Sequence, residues 1–244
     1  MTLGKPEDFY RFYATFKDYA TPVIKAKHLR WYDREFWTPA SCTVDTSVLE
    51  LGSGPGEFLL YLRYKGVARF RGVEMDRDAV AAMAPGLDTS VRIADIWDYL
   101  DEAPKDERWD RIVMLDVLEH FSPAEGARLL ERLRGLLSPE GLIVVRVPNM
   151  GSPWGLSYQY GDITHKALYA VGGLHQLGLA AGYDVAAVLP QRRGPPFRRF
   201  CEDMLHGLLD LILTAPPAVW TANIIVIYRP REPLTTQSHF AGSL

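Results

Sequence analysis

Residues 48–56 of this 244-residue chain read Val-Leu-Glu-Leu-Gly-Ser-Gly-Pro-Gly. A short apolar run passes directly into a glycine-rich turn, and helical spacing follows from about Glu57 to Tyr64. Glycine adopts positive φ at little cost, and it has no side chain that would keep a ligand from the backbone. In an open parallel sheet such a turn lies at the carboxyl end of a strand, where ligands bind. The stretch therefore predicts a strand, a ligand-binding turn and a helix.

The pattern of short β-rich runs separated by helical segments continues along the chain. It predicts βαβ units with right-handed crossovers, and hence an α/β fold. We expect a mostly parallel sheet of seven strands with helices on both faces. The predicted strands span 47–51, 68–74, 91–94, 111–115, 142–147, 183–189 and 223–228. The predicted helices span 57–64, 78–83, 123–137, 168–181 and a segment near 204–213.

Local signals fix two of these boundaries. Ser122, Pro123 and Glu125 form the sequence pattern of a capping box with proline in the first helical turn, which predicts a helix start at 123. Residues 138–141 read Ser-Pro-Glu-Gly and are predicted to turn the chain into the fifth strand.

Three domain-level segments are expected. Residues 1–43 are rich in aromatic side chains at helical spacing and are predicted to form a helical cap. Residues 44–231 form the main domain, with an insertion at 190–220 that carries four arginines. Residues 232–244 are predicted to be a flexible tail.

The glycine turn alone leaves several nucleotide-binding classes open. A P-loop is excluded because no Gly-Lys-Ser/Thr follows, and a dinucleotide fingerprint calls for GxGxxG rather than the spacing Gly52, Gly54, Gly56. The chain resembles the class I S-adenosylmethionine-dependent methyltransferases over about residues 45–189, and the strand at 223–228 also matches. Glu50–Gly56 is similar to that family's first motif, an acid followed by GxGxG. The resemblance implies that the glycines line the methionine part of the cofactor and that Glu50 lies near its amino group. It also implies a Rossmann-like sheet with an antiparallel last strand and with the last two strands at its edge.

Acids follow the next two predicted strands as well. The resemblance implies that Glu74 accepts hydrogen bonds from the ribose hydroxyls, with Asp76 as the alternative, and that Met75 packs on the adenine. It places Asp95 at the adenine amino group and Ile96 at the ring. The full set of expected cofactor residues is Glu50, Gly52, Ser53, Gly54, Gly56, Glu74, Met75, Asp95, Ile96, Leu115 and Asp116.

Two further segments resemble parts of bacterial members of this family. Residues 117–120, Val-Leu-Glu-His, resemble a segment of ubiquinone-biosynthesis-like and polysaccharide-modifying methyltransferases. Residues 162–165, Asp-Ile-Thr-His, resemble a segment of enzymes from cell-surface sugar and natural-product pathways. A hydroxyl acceptor must lose a proton, so a general base is expected. His165 is the first choice, with His120, Asp162 and Tyr160 as further candidates; a helix-capping role for Asp162 is the competing interpretation.

A metal site is a second hypothesis for the acceptor side. Asp116, Glu119 and His120 are spaced i, i+3, i+4, which would place them on one face of a helical turn, and His165 would complete the set. Plant small-RNA 2′-O-methyltransferases use a similar Glu-x-x-Glu-His set with a distal His to hold a divalent ion. Here the ion would be Mg²⁺ or Mn²⁺. The competing interpretation is that Glu119 and His120 shape the pocket without metal.

Composition and charge limit the classes of molecule that this chain is expected to bind. The formal net charge is −3 and no long block of one sign occurs, so nucleic acid is not a favoured partner. The two cysteines are far apart, no signal-peptide core or membrane-spanning run is found, and a cytoplasmic location is expected. We expect a small-molecule acceptor, such as a sugar or an anionic metabolite, and a homodimer is one assembly left open.

O-methylation of a sugar or natural-product hydroxyl is therefore the leading functional prediction. The alternatives are a phenol or quinone-precursor O-methyltransferase, an N-methyltransferase acting on an amino sugar, and a metal-dependent RNA 2′-O-methyltransferase. The arginines at 192, 193, 198 and 199 are read as a solvated charged loop or, alternatively, as a clamp for an anionic acceptor.

Overall fold

The computed structural model describes residues 9, 10, 12, 15, 17 and 19–232. Within that part of the chain, seven strands form one sheet. The strands are β1 (Val48–Leu51), β2 (Phe70–Glu74), β3 (Val91–Ile93), β4 (Trp109–Leu115), β5 (Leu137–Pro148), β6 (Tyr183–Pro190) and β7 (Asn223–Pro230). The α-helices are α1 (Ala26–Tyr32), α2 (Glu57–Tyr64), α3 (Arg77–Ala81), α4 (Ile96–Glu102), α5 (Pro123–Leu133), α6 (Leu156–Gln159), α7 (Val171–Ala180) and α8 (Pro196–Ile212).

The sheet has the strand order β3-β2-β1-β4-β5-β7-β6. Strands β1 to β5 pair in parallel, and β7 runs antiparallel to both of its neighbours, β5 and β6. The predicted mostly parallel sheet with an antiparallel last strand is confirmed. Because the parallel strands share one direction, their carboxyl ends meet at one edge, and the loops after β1, β2, β4 and β5 open there.

Apolar side chains cover both faces of this sheet. On one face the buried leucines of α5, at 129, 130 and 133, pack with residues of β4 and β5. On the other face Tyr32 and Phe36 pack with Phe58 of α2, with ring centroids 5.2 and 4.9 Å apart. Two-sided burial explains why the central strands are almost wholly apolar.

Several predicted boundaries differ from the structure. Helix α5 begins at Pro123 as predicted, but it ends at Leu133, and a 3₁₀ turn at Arg134–Leu136 follows. Residues 138–141 lie inside β5, where the pairing with β4 jumps from Trp109–Leu137 to Arg111–Leu142. Buried Leu137 opposite buried Trp109 keeps that early part of the strand in the sheet. Helix α7 begins at Val171, three residues later than predicted, and residues 165–170 before it have no regular secondary structure.

The predicted cap and tail are only partly within the described residues. Helix α1 and a π-helical turn, Asp33–Trp37, pack against α2. Residues 1–8, 11, 13, 14, 16, 18 and 233–244 lie outside the described part, and with them most of the predicted tail. Among the described residues, no helix is both long enough and apolar enough to cross a bilayer.

Candidate active site

The turn after β1 has the backbone geometry that its glycines predict. Gly52, Gly54 and Gly56 have φ of 71°, 51° and 81°, a region that other L-residues rarely adopt. The amides of Gly52 and Ser53 donate to the Val73 carbonyl at 2.8 and 3.1 Å, which fixes the turn to β2. No side chain caps α2, so the N–H groups of its first turn are available to water or a ligand.

The three glycines differ in the space beside them. A Cβ on Gly52 would lie 2.5 Å from Cγ2 of Val117, and one on Gly56 would lie 2.9 Å from a methyl group of Leu87. A Cβ on Gly54 would meet no described atom within 4 Å. Gly52 and Gly56 are therefore needed for internal packing, whereas Gly54 leaves open space at the tip of the turn.

Glu50 lies in β1 with only 3% of its surface exposed. Its Oε2 atom is buried and has no hydrogen-bond partner among the described residues. Burial raises the pKa of this carboxyl well above its ordinary value, against the opposing field of Arg146. An unpartnered buried acid at the carboxyl edge of the sheet is a site that a cation or N–H donor would satisfy.

Glu74, at the end of β2, reaches the glycine turn. Its Oε2 accepts from the Gly54 amide at 2.7 Å and its Oε1 accepts from the Asp76 amide at 2.8 Å. Each carboxylate oxygen keeps further lone-pair capacity for a ligand hydroxyl. Asp76 is used differently, because it caps α3 and accepts from the hydroxyl of Tyr19 at 2.9 Å. Met75 is 53% exposed beside them.

Other predicted cofactor residues have structural contacts of their own. Asp95 caps α4 by accepting from the Trp97 amide at 2.7 Å, and Ile96 is the first residue of that helix. Ser53 is buried with its hydroxyl against β2. Leu115, the last residue of β4, lines a small cavity together with Tyr32 and Phe58.

Asp116 departs from the helical placement that its spacing suggests. Its φ is +61°, and the following 3₁₀ turn covers only Leu118–His120, so Asp116 does not share a helical face with Glu119 and His120. Its carboxylate instead makes a two-point ion pair with Arg146 of β5, at 2.8 and 2.5 Å. Desolvation opposes ionisation of Asp116, but Arg146 outweighs it and lowers the pKa of this carboxyl. Asp116 is therefore paired with Arg146 and does not join Glu119, His120 and His165 as predicted for a metal site.

Glu119, His120 and His165 do come together. One potential ligand atom from each lies within 4.8 Å of those of the other two, and the two imidazole centroids are 4.7 Å apart. Glu119 is fully buried, and neither of its carboxylate oxygens has a hydrogen-bond partner in the described chain. Burial, reinforced by Asp116, raises the pKa of the Glu119 carboxyl well above its ordinary value.

Hydrogen bonds orient both imidazoles in the same way. Thr164 donates its hydroxyl to Asp162 at 2.6 Å, so its oxygen accepts from Nδ1 of His120 at 2.9 Å. Nδ1 of His165 donates to the Gln159 carbonyl at 2.9 Å. The network therefore assigns the lone pair of each ring to Nε2. Burial lowers the pKa of His120 to about 4 and also lowers that of His165, so both rings are neutral at pH 7.

The sequence matches the methyltransferase-domain family over residues 15–188. The chain belongs to this methyltransferase family. A search of curated proteins finds no match.

Solved structures share the fold of this methyltransferase at low sequence identity. A SAM-dependent methyltransferase from Archaeoglobus fulgidus is 20% identical, with a TM-score of 0.62 over 90% of this chain and 98% of that chain. Magnesium protoporphyrin IX methyltransferase from Synechocystis PCC 6803, solved with bound SAM, is 13% identical, with a TM-score of 0.59 over 95% and 99%. The O-methyltransferase NcsB1 from neocarzinostatin biosynthesis, solved with SAM and 2-hydroxy-5-methyl naphthoic acid, is 15% identical, with a TM-score of 0.57 over 92% and 60%.

Backbone contacts explain why the methyltransferase brings His165 to His120 across 45 residues of sequence. The amides of Lys166 and Ala167 both donate to the Glu119 carbonyl, at 2.8 and 3.0 Å. These two hydrogen bonds join the loop after β5 to the turn after β4. Asp162 holds the same loop through the amide and hydroxyl of Thr164. Asp162 therefore positions His120, and the predicted helix-capping role is wrong because α7 starts later, at Val171.

Part of the aromatic N-terminal segment lies over the site. Tyr10 is tilted against His120, with ring centroids 5.9 Å apart. The Lys17 ammonium is 3.3 Å from a carboxylate oxygen of Asp162. Together with the Tyr19 contact to Asp76, these contacts place the N-terminal segment beside both His120 and the end of β2.

Sequence reasoning missed residues that act through others. The pairing of Asp116 could have been predicted from Arg146, because an arginine within an otherwise apolar strand is rarely buried without an acidic partner. Thr164 and Gln159 orient the histidines, but they belong to no sequence pattern that indicates this role.

The predicted alternative that the arginines of 190–220 clamp an anionic acceptor is less favoured than a structural role, because Arg192 pairs with Asp203 and Arg193 pairs with Glu35. Tyr160, one of the candidate bases, is 69% exposed. The carbonyl of the preceding residue, Gln159, accepts from His165.

Proposed function

We propose that this methyltransferase uses S-adenosylmethionine to O-methylate a hydroxyl group of a small molecule. The observation that carries the proposal is the cluster of buried Glu119 with the two neutral imidazoles of His120 and His165. The cofactor supplies an already activated methyl group, so the protein's main tasks are to align the acceptor and to remove its proton.

The residues at the carboxyl edge fit the cofactor. The unpartnered oxygen of Glu50 suits its amino group, and the open space beside Gly54 admits a ligand close to the backbone. Glu74 presents a carboxylate to ribose hydroxyls, and exposed Met75 offers an apolar surface to the adenine. Asp95 and Ile96 lie at the end of β3 for the outer part of the ring.

The cluster lies close to the point of transfer. Val117, which precedes it by two residues, contacts the position beside Gly52 in the cofactor turn. A hydroxyl placed between the glycine turn and the cluster would face the Nε2 atoms of His120 and His165, whose lone pairs can accept a proton. Proton removal matters because an alcohol stays protonated at neutral pH without a base or a metal ion.

We further propose that the cluster performs this task by holding a divalent metal ion. A carboxylate with no internal partner and two imidazoles oriented through Nδ1 are the donor set and the supporting hydrogen bonds of such sites. Two nitrogen ligands favour Mn²⁺ or Zn²⁺ over Mg²⁺, which prefers oxygen ligands. A bound ion would supply positive charge that favours the ionised hydroxyl. Asp116, paired with Arg146, is left out of this set.

The similar structures support the class of acceptor. NcsB1 is an O-methyltransferase whose structure contains a hydroxylated naphthoic acid. A net charge of −3 gives no attraction to RNA. Sugar hydroxyls and phenols are therefore the first acceptors to test, with amino sugars and RNA as comparison substrates.

The experiment combines binding and turnover. S-adenosylhomocysteine binding is measured by calorimetry, and deuterated-methyl S-adenosylmethionine is incubated with a panel of sugars, phenols, amino sugars and RNA, with products identified by mass spectrometry. We expect binding and a methyl ether on a sugar or phenol. Absence of S-adenosylhomocysteine binding at millimolar concentration overturns the proposal, and an N-methyl product assigns the amine class instead.

Variants test the cluster separately. We expect Glu119→Gln and His165→Asn to lower kcat on the order of 10²-fold or more while leaving S-adenosylhomocysteine affinity unchanged. His175→Asn, an exposed histidine of α7, is the matched control and should keep full activity. Titration with Mn²⁺ or Zn²⁺ alone should show one ion bound to the wild type and none to Glu119→Gln. Full activity after EDTA treatment, with no ion bound, overturns the metal part and leaves His165 as the direct base.

A further inference from the structure

Helix α8 exposes its apolar face to solvent, which is unusual for an amphipathic helix of an isolated chain. It is 17 residues long and strongly amphipathic, yet none of its residues, all of which the structure describes, is buried. Its apolar residues recur at three- and four-residue spacing, which places them on one stripe. Those that are 55% to 82% exposed are Phe197, Phe200, Met204, Leu208, Leu211 and Ile212.

The polar face of α8 is the one that contacts the rest of the chain. Asp203 pairs with Arg192, and His206 stacks on Trp220 with centroids 4.9 Å apart and planes 5° apart. Trp154 donates its indole N–H to His206 at 3.0 Å, and Trp220 donates to Asp210 at 2.8 Å. These contacts fix the rotation of the helix, so its apolar stripe cannot turn inward without losing them.

We infer that the apolar stripe of α8 binds the same stripe of a second copy of this chain. The six exposed side chains present an apolar area on the order of 700 Å², close to the ~800 Å² that each partner contributes to a standard stable interface. An isolated chain rarely exposes a continuous apolar patch of this size. A two-fold interface puts the same surface against itself, so a stripe without charged residues needs no separate complementary partner.

The charges of α8 disfavour a lipid surface as the occupant. The helix carries two arginines and three acids, whereas helices that lie in an anionic membrane surface have a polar face rich in Lys and Arg. Here two of the acids, Asp203 and Asp210, are also held by the chain's own Arg192 and Trp220. The net charge of −3 adds no attraction to anionic lipid.

The full chain at micromolar concentration tests the inference by light scattering after size-exclusion chromatography. We expect a dimer for the wild type and a monomer for Leu208→Glu. Leu179→Glu is the matched control, because Leu179 is a similarly exposed leucine on α7, and it should remain dimeric. Circular dichroism melts of both variants show whether the fold is kept.

A distance measurement identifies the face that pairs. A spin label on Glu202→Cys in a Cys201→Ser background lies beside the stripe, and Cys42 is buried. If two α8 helices pair, the label-to-label distance cannot greatly exceed the helix length of about 25 Å. A monomeric wild type, a dimer that survives Leu208→Glu, or a much longer distance overturns the inference. A monomer that sediments with phosphatidylcholine–phosphatidylglycerol vesicles overturns it in favour of a lipid surface.

Discussion

Gly54 and Gly86 share a backbone state but differ in what surrounds them. Both have positive φ, +51° and +74°, and a Cβ at either position would meet no described atom within 4 Å. We expect Gly54→Ala and Gly86→Ala each to lower the free energy of unfolding by about 1–2 kcal/mol, because an L side chain is strained there. Only Gly54→Ala should weaken S-adenosylhomocysteine binding, because its methyl group occupies the space at the tip of the cofactor turn.

Denaturant melts and calorimetry on this pair separate strain from ligand exclusion. Gly86 lies in the loop that enters β3 at the opposite edge of the sheet, so it controls for the backbone effect alone. Equal S-adenosylhomocysteine affinity in the two variants would show that the ligand does not approach the turn at Gly54.

At the scale of elements, the start of α5 is held by local contacts. The Ser122 hydroxyl accepts from the Glu125 amide at 3.3 Å, and the Glu125 carboxylate accepts from the Ser122 amide at 2.8 Å. We expect Ser122→Ala to lower the free energy of unfolding by about 1 kcal/mol, measured by denaturant melts. Ser157→Ala, at an exposed serine of α6 where no side chain caps the helix, should have no such cost. Equal stability of the two variants would mean that packing alone sets the start of α5.

The same helix shows which features a sequence can predict. The capping box is local, so Ser122 and Glu125 predicted the start of α5 correctly, and the glycine turn and the alternation of strands and helices predicted the sheet. Features that depend on distant residues were missed. The Asp116–Arg146 pair joins the residue that follows β4 to β5, and it accompanies a positive φ that no spacing rule indicates. The periodicity of α8 predicts its apolar stripe, but the side that faces the chain depends on Trp154 and Trp220.

At the scale of the whole molecule, the sheet brings together the residues of the proposed cofactor site. Glu50, the glycine turn and Glu74 belong to β1, the following loop and β2, and the cluster belongs to the loops after β4 and β5. The unfolded chain holds none of these groups together. A ligand that bridges them should therefore bind the folded state alone, and its binding free energy should add to the free energy of unfolding.

This linkage predicts a thermal shift. At S-adenosylhomocysteine concentrations of 100 times Kd, the folded state gains about 2.7 kcal/mol, which raises Tm by roughly 5–10 °C for a chain of this size. Glu74→Gln removes the charge that we propose accepts from the ribose hydroxyls, so the shift at the same ligand concentration should be clearly smaller. Glu131→Gln, on the exposed face of α5, should keep the full shift. The measurement is scanning calorimetry at one fixed protein concentration, because dimerisation would also move Tm. Equal shifts for both variants would mean that Glu74 serves only its internal bonds to Gly54 and Asp76.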